Sequence, residues 1–311
     1  MLSGCAWYGY GDTKKESLAQ KLTEQAHRSE AQGDLTGATE SLQKAAQIDP
    51  SDVAARWELV RLQRAAGNNP AAIETLKKVV ELTPDDSAAW LELGELQFET
   101  GEYVWASRSF EAALQHDPLL IPALLKQAEL EQLRGYDEQA LELYHRILSI
   151  DKNHIPSMLQ IARIQMLRDQ SVRATLILRT ACFCRGANSD QIGEARNLLG
   201  IAYGQQERWE DAVESLSIAA RIEREPSTEQ LYYLAYAQYR AKLPLDAMQT
   251  AETILKNNPE YLPASLLHNH LAGELDAPRS HVYPVAFRGH RLPPAPPGWP
   301  EPPGSVTLNN L

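Results

Sequence analysis

Residues 87–120 read SAAWLELGELQFETGEYVWASRSFEAALQHDPLL, and this stretch decides the fold. Apolar residues recur at helical spacing on both sides of Gly101, which predicts two short amphipathic helices joined by a turn. The glycine can adopt the left-handed conformation that ends the first helix. Pro118 cannot continue the second helix. The stretch therefore predicts one helix–turn–helix repeat.

The same pattern returns along the chain with a constant 34-residue period. Pro50, Pro84 and Pro118 are evenly spaced by this period, and Asp151 continues the phrase without its proline. The period divides this part of the chain into repeats at 19–52, 53–86, 87–120 and 121–154. A glycine and an alanine stay in phase in all four repeats: Gly33, Gly67, Gly101, Gly135, and Ala38, Ala72, Ala106, Ala140. The period therefore predicts an array of stacked helix pairs.

The period weakens after residue 154. Repeats at 155–188, 193–226 and 228–261 keep the small and apolar positions, but the fifth repeat lacks the glycine. A short insertion, near Asn188–Gln191, separates the fifth repeat from the sixth. Residues 262–272 predict a helix that caps the array, because a stack of repeats needs a polar outer face at its end.

Repeat 87–120 resembles the tetratricopeptide repeat. Its residues fill the signature positions of that family: Trp90, Leu93, Gly94, Ala106, Phe110, Ala113, Pro118. The resemblance extends over residues 17–272. It implies an all-α, right-handed α-solenoid of about seven helix–turn–helix repeats with a C-terminal capping helix. It also implies a scaffold or adaptor that binds a peptide or a partner protein on the concave face, which the first helices line.

The resemblance places three tyrosines of the last repeat in that groove. Tyr232, Tyr236 and Tyr239 share one helix face, because they follow one another at helical spacing. Tyrosines offer a large, rigid contact area with a polar tip, which suits peptide recognition. Packing between helices, with the hydroxyls at the rim, explains the row equally well.

The earlier repeats contribute the other groove residues that the resemblance implies: Trp57, Arg61, Arg64, Glu95, Phe98, Glu129, Asn197. An aromatic ring with two guanidinium groups could grip a carboxylate or an acidic peptide, although a solvated helix face is the alternative. The glutamates give the middle of the groove an acidic character. The paired lysine and asparagine with which family members clamp chaperone tails are not assembled here.

Residues 1–16 predict a flexible N-terminal tether. Leu2-Ser3-Gly4-Cys5 resembles the lipobox of bacterial lipoproteins, in which the cysteine carries the lipid. A signal peptide needs an apolar stretch of about 7–15 residues before that cysteine, and Met1 leaves no room for one. If the gene starts upstream, Cys5 is a candidate lipidation site that attaches a cell-envelope protein to a membrane. Otherwise the match is chance, and we expect the protein in the cytoplasm.

Residues 273–311 form a proline-rich tail. From Ala277 to Leu311, about one residue in four is proline. This composition cannot bury enough apolar surface to fold and predicts a disordered tail with polyproline II character. The alternative is a ligand for an aromatic groove, on this molecule or on another.

Charge and composition narrow the function classes. The net charge of −11 argues against nucleic acid as the main ligand, and no apolar run is long enough to predict a transmembrane helix. Cys182 with Cys184 and His268 with His270 lack the further ligands that a metal site needs, so we expect buried thiols and no cofactor. Outside the repeats, 1–16 and 273–311 are too short for a catalytic domain, which predicts no enzyme activity.

Overall fold

The computed structural model describes residues 6–274 and 293–300. These residues form fifteen α-helices, and no β-strand occurs among them. The protein therefore has an all-α repeat fold, as the 34-residue period predicts. The helices are α1 (Ala6–Ala31), α2 (Leu35–Ile48), α3 (Val53–Ala65), α4 (Asn69–Leu82), α5 (Ser87–Glu99), α6 (Tyr103–His116), α7 (Ile121–Leu133), α8 (Asp137–Ile150), α9 (Ile155–Leu167), α10 (Ser171–Cys182), α11 (Ser189–Gln205), α12 (Trp209–Ile222), α13 (Thr228–Arg240), α14 (Pro244–Asn257) and α15 (Leu262–Glu274).

The helices follow one another in pairs, and α15 comes after the last pair. The first helices α3, α5, α7 and α9 begin at the first residues of the second to fifth repeats. Side-chain caps account for three of these starts, and at α9 the His154 side chain accepts a hydrogen bond from the backbone N–H of Ser157. Asp52 accepts a hydrogen bond from the backbone N–H of Ala55, and Asp86 accepts one from that of Ala89.

Small residues let the two helices of a pair approach closely. The alanines that recur with the period, Ala72 and Ala106 among them, are fully buried. In the third repeat, a Cβ atom on Gly94 of α5 would lie 2.5 Å from the ring of Phe110 on α6. The glycine is therefore required where this large ring crosses the neighbouring helix.

The turn between the helices of a pair uses the same conformation throughout the array. Gly33, Gly67, Gly101 and Gly135 all have positive φ angles, between 71° and 81°. In the last three repeats, the corresponding positions are Asp169, Glu207 and Lys242, with φ angles of 57°, 57° and 61°. The left-handed turn is thus kept where the glycine is lost, and these three residues bear its steric cost.

Two boundaries differ from the sequence-based expectation. Helix α1 begins at Ala6, so residues 6–16 are helical and not a flexible tether. No proline interrupts the stretch from Ala6 to Ala31, so a continuous helix forms despite Gly9 and Gly11. The extra residues before the sixth repeat form the first turn of α11, which Asn188 and Gln191 stabilise through a capping box.

The chain divides into two compact units, Met1–Leu143 and Tyr144–Leu311, which we call the N-terminal unit and the C-terminal unit. A core of the N-terminal unit lies between α3, α4 and α5 and contains Leu76, Val79 and Leu93. The largest core of the C-terminal unit extends from α9 to α13 and also contains Trp299, which lies well beyond α15 in the sequence. None of the described helices is both long and apolar enough to cross a membrane.

Candidate peptide-binding site

A stretch of the proline-rich tail lies against the tyrosines of α13. We call Pro293–Pro300 the proline segment. Tyr232, Tyr233 and Tyr236 donate hydroxyl hydrogen bonds to its backbone carbonyls, over 2.6, 2.8 and 3.2 Å respectively. The accepting carbonyls belong to Pro294, Pro297 and Pro300 in the same order. Tyrosine hydroxyls therefore bind the main chain of an extended segment.

The spacing of the accepting residues explains how one helix face binds the first two carbonyls. Pro294 and Pro297 lie three positions apart, and polyproline II has about three residues per turn. A turn interrupts the segment, because the backbone N–H of Trp299 donates to the carbonyl of Pro296 over 3.1 Å. Gly298 takes the third position of that turn with a φ angle of 77°, as a type II turn requires. The turn directs the Trp299 side chain into the protein.

Trp299 anchors the proline segment in an aromatic pocket. Its side chain is only 6% exposed, and its indole N–H donates to the backbone carbonyl of Ile201 on α11 over 2.9 Å. The ring centre lies 5.0 Å from that of Tyr233, 5.5 Å from that of Trp209 and 5.9 Å from that of Tyr236. The contacts with Tyr233 and Trp209 are edge-to-face, and such contacts add to the free energy of burial. Both the apolar surface and the single donor of the indole are therefore satisfied.

Gly204 makes room for this anchor. A Cβ atom at position 204 would overlap the indole of Trp299. Gly193 lies on the same helix, and a Cβ atom there would make only an ordinary contact, 3.4 Å from Ile222. The glycine at 204 is thus needed for the close approach of the indole and not for the helix, in which glycine is unfavourable.

Arg240 closes the end of the pocket. Its guanidinium lies 4.2 Å from the ring centre of Trp209 and donates to the carbonyl of Pro300 over 3.2 Å. Glu207 lies 3.7 Å from the same guanidinium and balances its charge. We call Gly204, Trp209, Tyr232, Tyr233, Tyr236 and Arg240 the aromatic face.

Burial keeps the Tyr233 hydroxyl of this face protonated. Burial raises the pKa of Tyr233 to about 12. The pKa of Tyr239 is raised as well, again chiefly by burial. The Tyr233 hydroxyl can therefore donate its hydrogen bond throughout the physiological pH range.

The structure brings two of the three predicted tyrosines to the proline segment. Tyr232 and Tyr236 bind it, whereas the hydroxyl of Tyr239 lies 3.2 Å from the Nε2 atom of His270 on α15. Packing between helices also occurs, since the ring of Tyr232 contacts that of Tyr261 at 5.6 Å. Both sequence-based interpretations of the tyrosine row thus describe contacts that this face makes.

Pro293–Pro300 makes contacts of the kind that the second interpretation of the tail describes, with an aromatic surface of this molecule. The tail composition does not predict these contacts, because it reflects only the apolar surface that the tail could bury within itself. The surface that Trp299 buries belongs to α11, α12 and α13. The rest of the predicted tail, apart from Gly273 and Glu274 of α15, lies outside the described residues, as does Cys5, the predicted lipidation site.

Several residues of the site were not predicted from the sequence: Gly204, Trp209, Tyr233, Arg240, Trp299. The burial of Trp299 could have been predicted, because a tryptophan side chain is large and apolar and gains free energy when it leaves water. Gly204 could also have been singled out, because it is a glycine within a helix and lies outside the signature positions of the family. The predicted Asn197 lies on α11, and its buried Oδ1 atom has no hydrogen-bond partner among the described residues.

In the N-terminal unit, the predicted groove arginines are engaged with acidic side chains. Arg61 forms two hydrogen bonds of 2.7 Å with Glu30 of α1. Arg64 pairs with Glu92 and, over 3.4 Å, with Glu99 of α5. The sequence-based prediction is that these arginines bind a carboxylate of a ligand. Neither guanidinium group is free to do so, because both already form ion pairs within the unit.

The other predicted residues of this unit continue the same surface. Phe98 lies under the ammonium group of Lys126, 5.7 Å from the ring centre, and Lys126 also pairs with Glu129 over 2.8 Å. Burial, with the charge of Glu92 nearby, raises the pKa of Glu95. Trp57 is half-buried against the core between α3 and α5. We call Arg61, Arg64, Glu92, Glu95, Phe98, Lys126 and Glu129 the charged face.

No metal centre is formed in the part of the chain that the structure describes. Within residues 6–274 and 293–300, no group of three or more His, Cys, Asp and Glu side chains is placed to hold a metal ion. Cys182 is buried, and burial raises the pKa of its thiol. His268 is also buried, with its Nε2 atom 3.4 Å from Glu252.

Two models of the tetratricopeptide repeat match the sequence. One matches residues 30–93 and 63–128, and the other matches residues 197–261. Together these matches cover more than half of the chain, so the protein belongs to the tetratricopeptide repeat family. A search of curated proteins gave no significant match.

Solved structures share the fold at low identity. A tetratricopeptide repeat protein from Parabacteroides merdae ATCC 43184 is 16% identical, with 81% of this chain and 98% of that chain covered and a TM-score of 0.54. YrrB, a tetratricopeptide repeat protein with an unusual peptide-binding site, is 13% identical, with 65% and 99% covered and a TM-score of 0.53. At these identities the similarity shows the fold alone.

Proposed function

We propose that the protein is a scaffold for protein–protein interaction that binds an extended, proline-rich peptide on the aromatic face. The observation that carries this proposal is the proline segment, which lies on that face with three carbonyls and one tryptophan engaged. A surface that fits one such segment fits another of the same chemistry. YrrB, which shares the fold, has a peptide-binding site.

The contacts divide into general and selective ones. Hydrogen bonds from tyrosine hydroxyls to backbone carbonyls depend on an extended main chain and not on its side chains. Polyproline II segments lose little conformational entropy when they bind, because proline restricts the free chain already. The pocket for Trp299 is selective, since it combines three aromatic rings with one carbonyl acceptor. The site therefore favours partner segments that present a tryptophan after a proline-rich turn.

The proline segment competes with any such partner. It is joined to α15 by the stretch 275–292, and a ligand on a short tether has an effective concentration on the order of millimolar. A partner must overcome this competition, so the wild-type protein should bind a free peptide weakly. Weakening the resident segment should therefore strengthen binding of the free one.

The test uses the full chain with the substitution Trp299→Ala and a labelled peptide of residues 290–303. We expect this variant to bind the peptide at least tenfold more tightly than the wild type in a fluorescence anisotropy titration. A peptide with alanine in place of its tryptophan should bind at least tenfold more weakly. Adding Gly204→Ala to the variant should abolish binding, whereas adding Gly193→Ala should leave it unchanged.

If the Trp299→Ala chain does not bind the peptide, the proposal fails. The proline segment would then be an intramolecular strap that stabilises the last repeats and does not mark a site for partners. Binding that persists with Gly204→Ala would also contradict the proposal, because the peptide would then occupy another surface.

Membrane attachment through Cys5 stays a prediction of the sequence alone. It would place the same scaffold at a cell-envelope membrane, where it could organise an assembly. Intact-mass measurement of the protein purified from its native cells tests it. A diacylglyceryl-modified cysteine at position 5 would support membrane attachment, and an unmodified Cys5 would contradict it.

A further inference from the structure

The fifth repeat differs in charge from the rest of the chain. Residues 155–188 contain five arginines and one aspartate, with no lysine or glutamate, so their net charge is +4 in a chain whose total is −11. This is also the first repeat in which a residue other than glycine, Asp169, adopts the left-handed turn. The repeat thus departs from the array in both turn chemistry and electrostatics.

Helix α10 of this repeat is apolar on its inner face and also exposes apolar side chains among the polar ones of its outer face. Ala174, Leu178 and Ala181 are fully buried in the core. On the outer side, Leu176 is 65% exposed, and Phe183, which directly follows the last residue of α10, is 75% exposed. The corresponding helix of the second repeat, α4, exposes charged side chains instead: Glu74, Lys77, Lys78. Exposed apolar side chains grouped on one helix face are typical of an interaction surface.

A cleft opens beside these two apolar side chains. Its volume is about 540 Å³, and Leu176, Arg179, Thr180, Phe183, Arg185 and Asn153 line it. A shallow cleft of this size can accommodate one or two side chains of a ligand. All of these residues lie in the C-terminal unit, and none belongs to the aromatic face.

The two arginines of the cleft have no acidic partner. Among the described residues, the structure records no ion pair for Arg179 or Arg185, whereas Arg163 and Arg208 pair with Glu194 and Asp211 over 2.5 and 2.6 Å. Two free guanidinium groups beside exposed apolar side chains match a ligand that carries carboxylates on both sides of an apolar residue.

We propose that the cleft beside α10 is a second docking site, which binds an acidic peptide segment of a partner protein by one apolar side chain. That side chain enters between Leu176 and Phe183, and flanking carboxylates pair with Arg179 and Arg185. The recess favours a peptide over a flat anionic surface, which could reach the arginines without filling the cleft. The protein would then hold two chemically distinct segments, a proline-rich one and an acidic one.

The probe is a fluorescein-labelled peptide of sequence Asp-Glu-Asp-Leu-Glu-Phe-Asp-Glu, titrated with the full wild-type chain. We expect saturable binding that weakens at least tenfold with Arg179→Glu/Arg185→Glu and at least fivefold with Leu176→Ser/Phe183→Ser. The charge-matched control Arg28→Glu/Arg224→Glu changes exposed arginines elsewhere and should bind within twofold of the wild type. The Trp299→Ala chain should also bind within twofold, which separates this site from the aromatic face.

Three outcomes would overturn the proposal. One is no binding to the wild type, and a second is equal weakening by the two arginine pairs. The third is equal binding of a peptide with serine in place of its leucine and phenylalanine, which would mean charge attraction alone. Cosedimentation with vesicles of three parts phosphatidylcholine and one part phosphatidylglycerol covers the membrane alternative. Vesicle binding that requires Arg179 and Arg185, without peptide binding, would assign the surface to a membrane instead.

Discussion

The charged face lies on first helices of the repeats and the aromatic face lies mainly on first helices too, yet their side chains find their partners in different ways. On the charged face, side chains of neighbouring first helices pair with one another, as Arg64 does with Glu92 and Glu99. On the aromatic face, a segment from the end of the chain provides the partners. Surface ion pairs contribute only about 0–1 kcal/mol each and weaken with salt, whereas a buried tryptophan contributes several. Repeats of the same fold can thus present either a charged surface, whose ion pairs can be exchanged for others, or an aromatic surface that is selective for its ligand.

Removing the tryptophan should have the largest effect on this comparison. Trp299→Ala should lower the free energy of unfolding of the C-terminal unit by about 3 kcal/mol, because the aromatic pocket loses its contents. Chemical denaturation followed by circular dichroism measures this loss. A variant on the charged face, Arg64→Ala, should cost about 1 kcal/mol or less. Equal losses in the two variants would remove the distinction between the faces.

Gly204→Ala tests the same pocket from the other side. The added Cβ atom should expel the indole and destabilise the unit, although alanine favours the helix by about 1 kcal/mol. Gly193→Ala, on the same helix, should stabilise the protein by up to about 1 kcal/mol. In the Trp299→Ala chain, Gly204→Ala should no longer lower the free energy of unfolding. A double-mutant cycle would show this difference. A loss that persists in that chain would mean that Gly204 serves the helix packing and not the tryptophan.

Most of the fold could be predicted from the sequence, and part of the site. The 34-residue period gave the starts of α3, α5, α7 and α9, because each repeat packs only against its neighbours. The same period accounts for contacts between positions 31 apart in the regular repeats, such as Glu30 with Arg61 and His27 with Glu58. The contact of Trp299 with Ile201 joins positions 98 apart, and no period relates them. Such a contact depends on tertiary structure that a local pattern does not contain.

We expect alkaline pH to release the proline segment from the aromatic face before it disrupts the ion pairs of the charged face. The folded-state pKa of Tyr233 is about 12, against an ordinary value of 10.0, so the folded state holds this proton more tightly than the unfolded state. Its contribution to stability is complete below pH 10 and is lost as the pH rises from 10 to 12, by an amount on the order of 1 kcal/mol. The ¹⁹F NMR resonance of Trp299 in protein labelled with 5-fluorotryptophan, assigned by its loss in Trp299→Ala, should report release of the proline segment in this range. A Tyr233→Phe chain that loses the segment over the same pH range would show that another group titrates.

The turns offer the smallest and most local contrast between the two units. Gly67 has a φ angle of 71° and open space around its missing Cβ, so Gly67→Ala should destabilise by about 1 kcal/mol through backbone strain alone. Lys242 has a φ angle of 61° and bears that strain already, so Lys242→Gly should stabilise by up to about 1 kcal/mol. Asp169→Gly should stabilise the protein less than Lys242→Gly does, because aspartate tolerates the left-handed region better than lysine. Thermal unfolding of the three variants measures these differences. A loss of stability in Lys242→Gly would mean that contacts of the lysine side chain outweigh the strain of its turn.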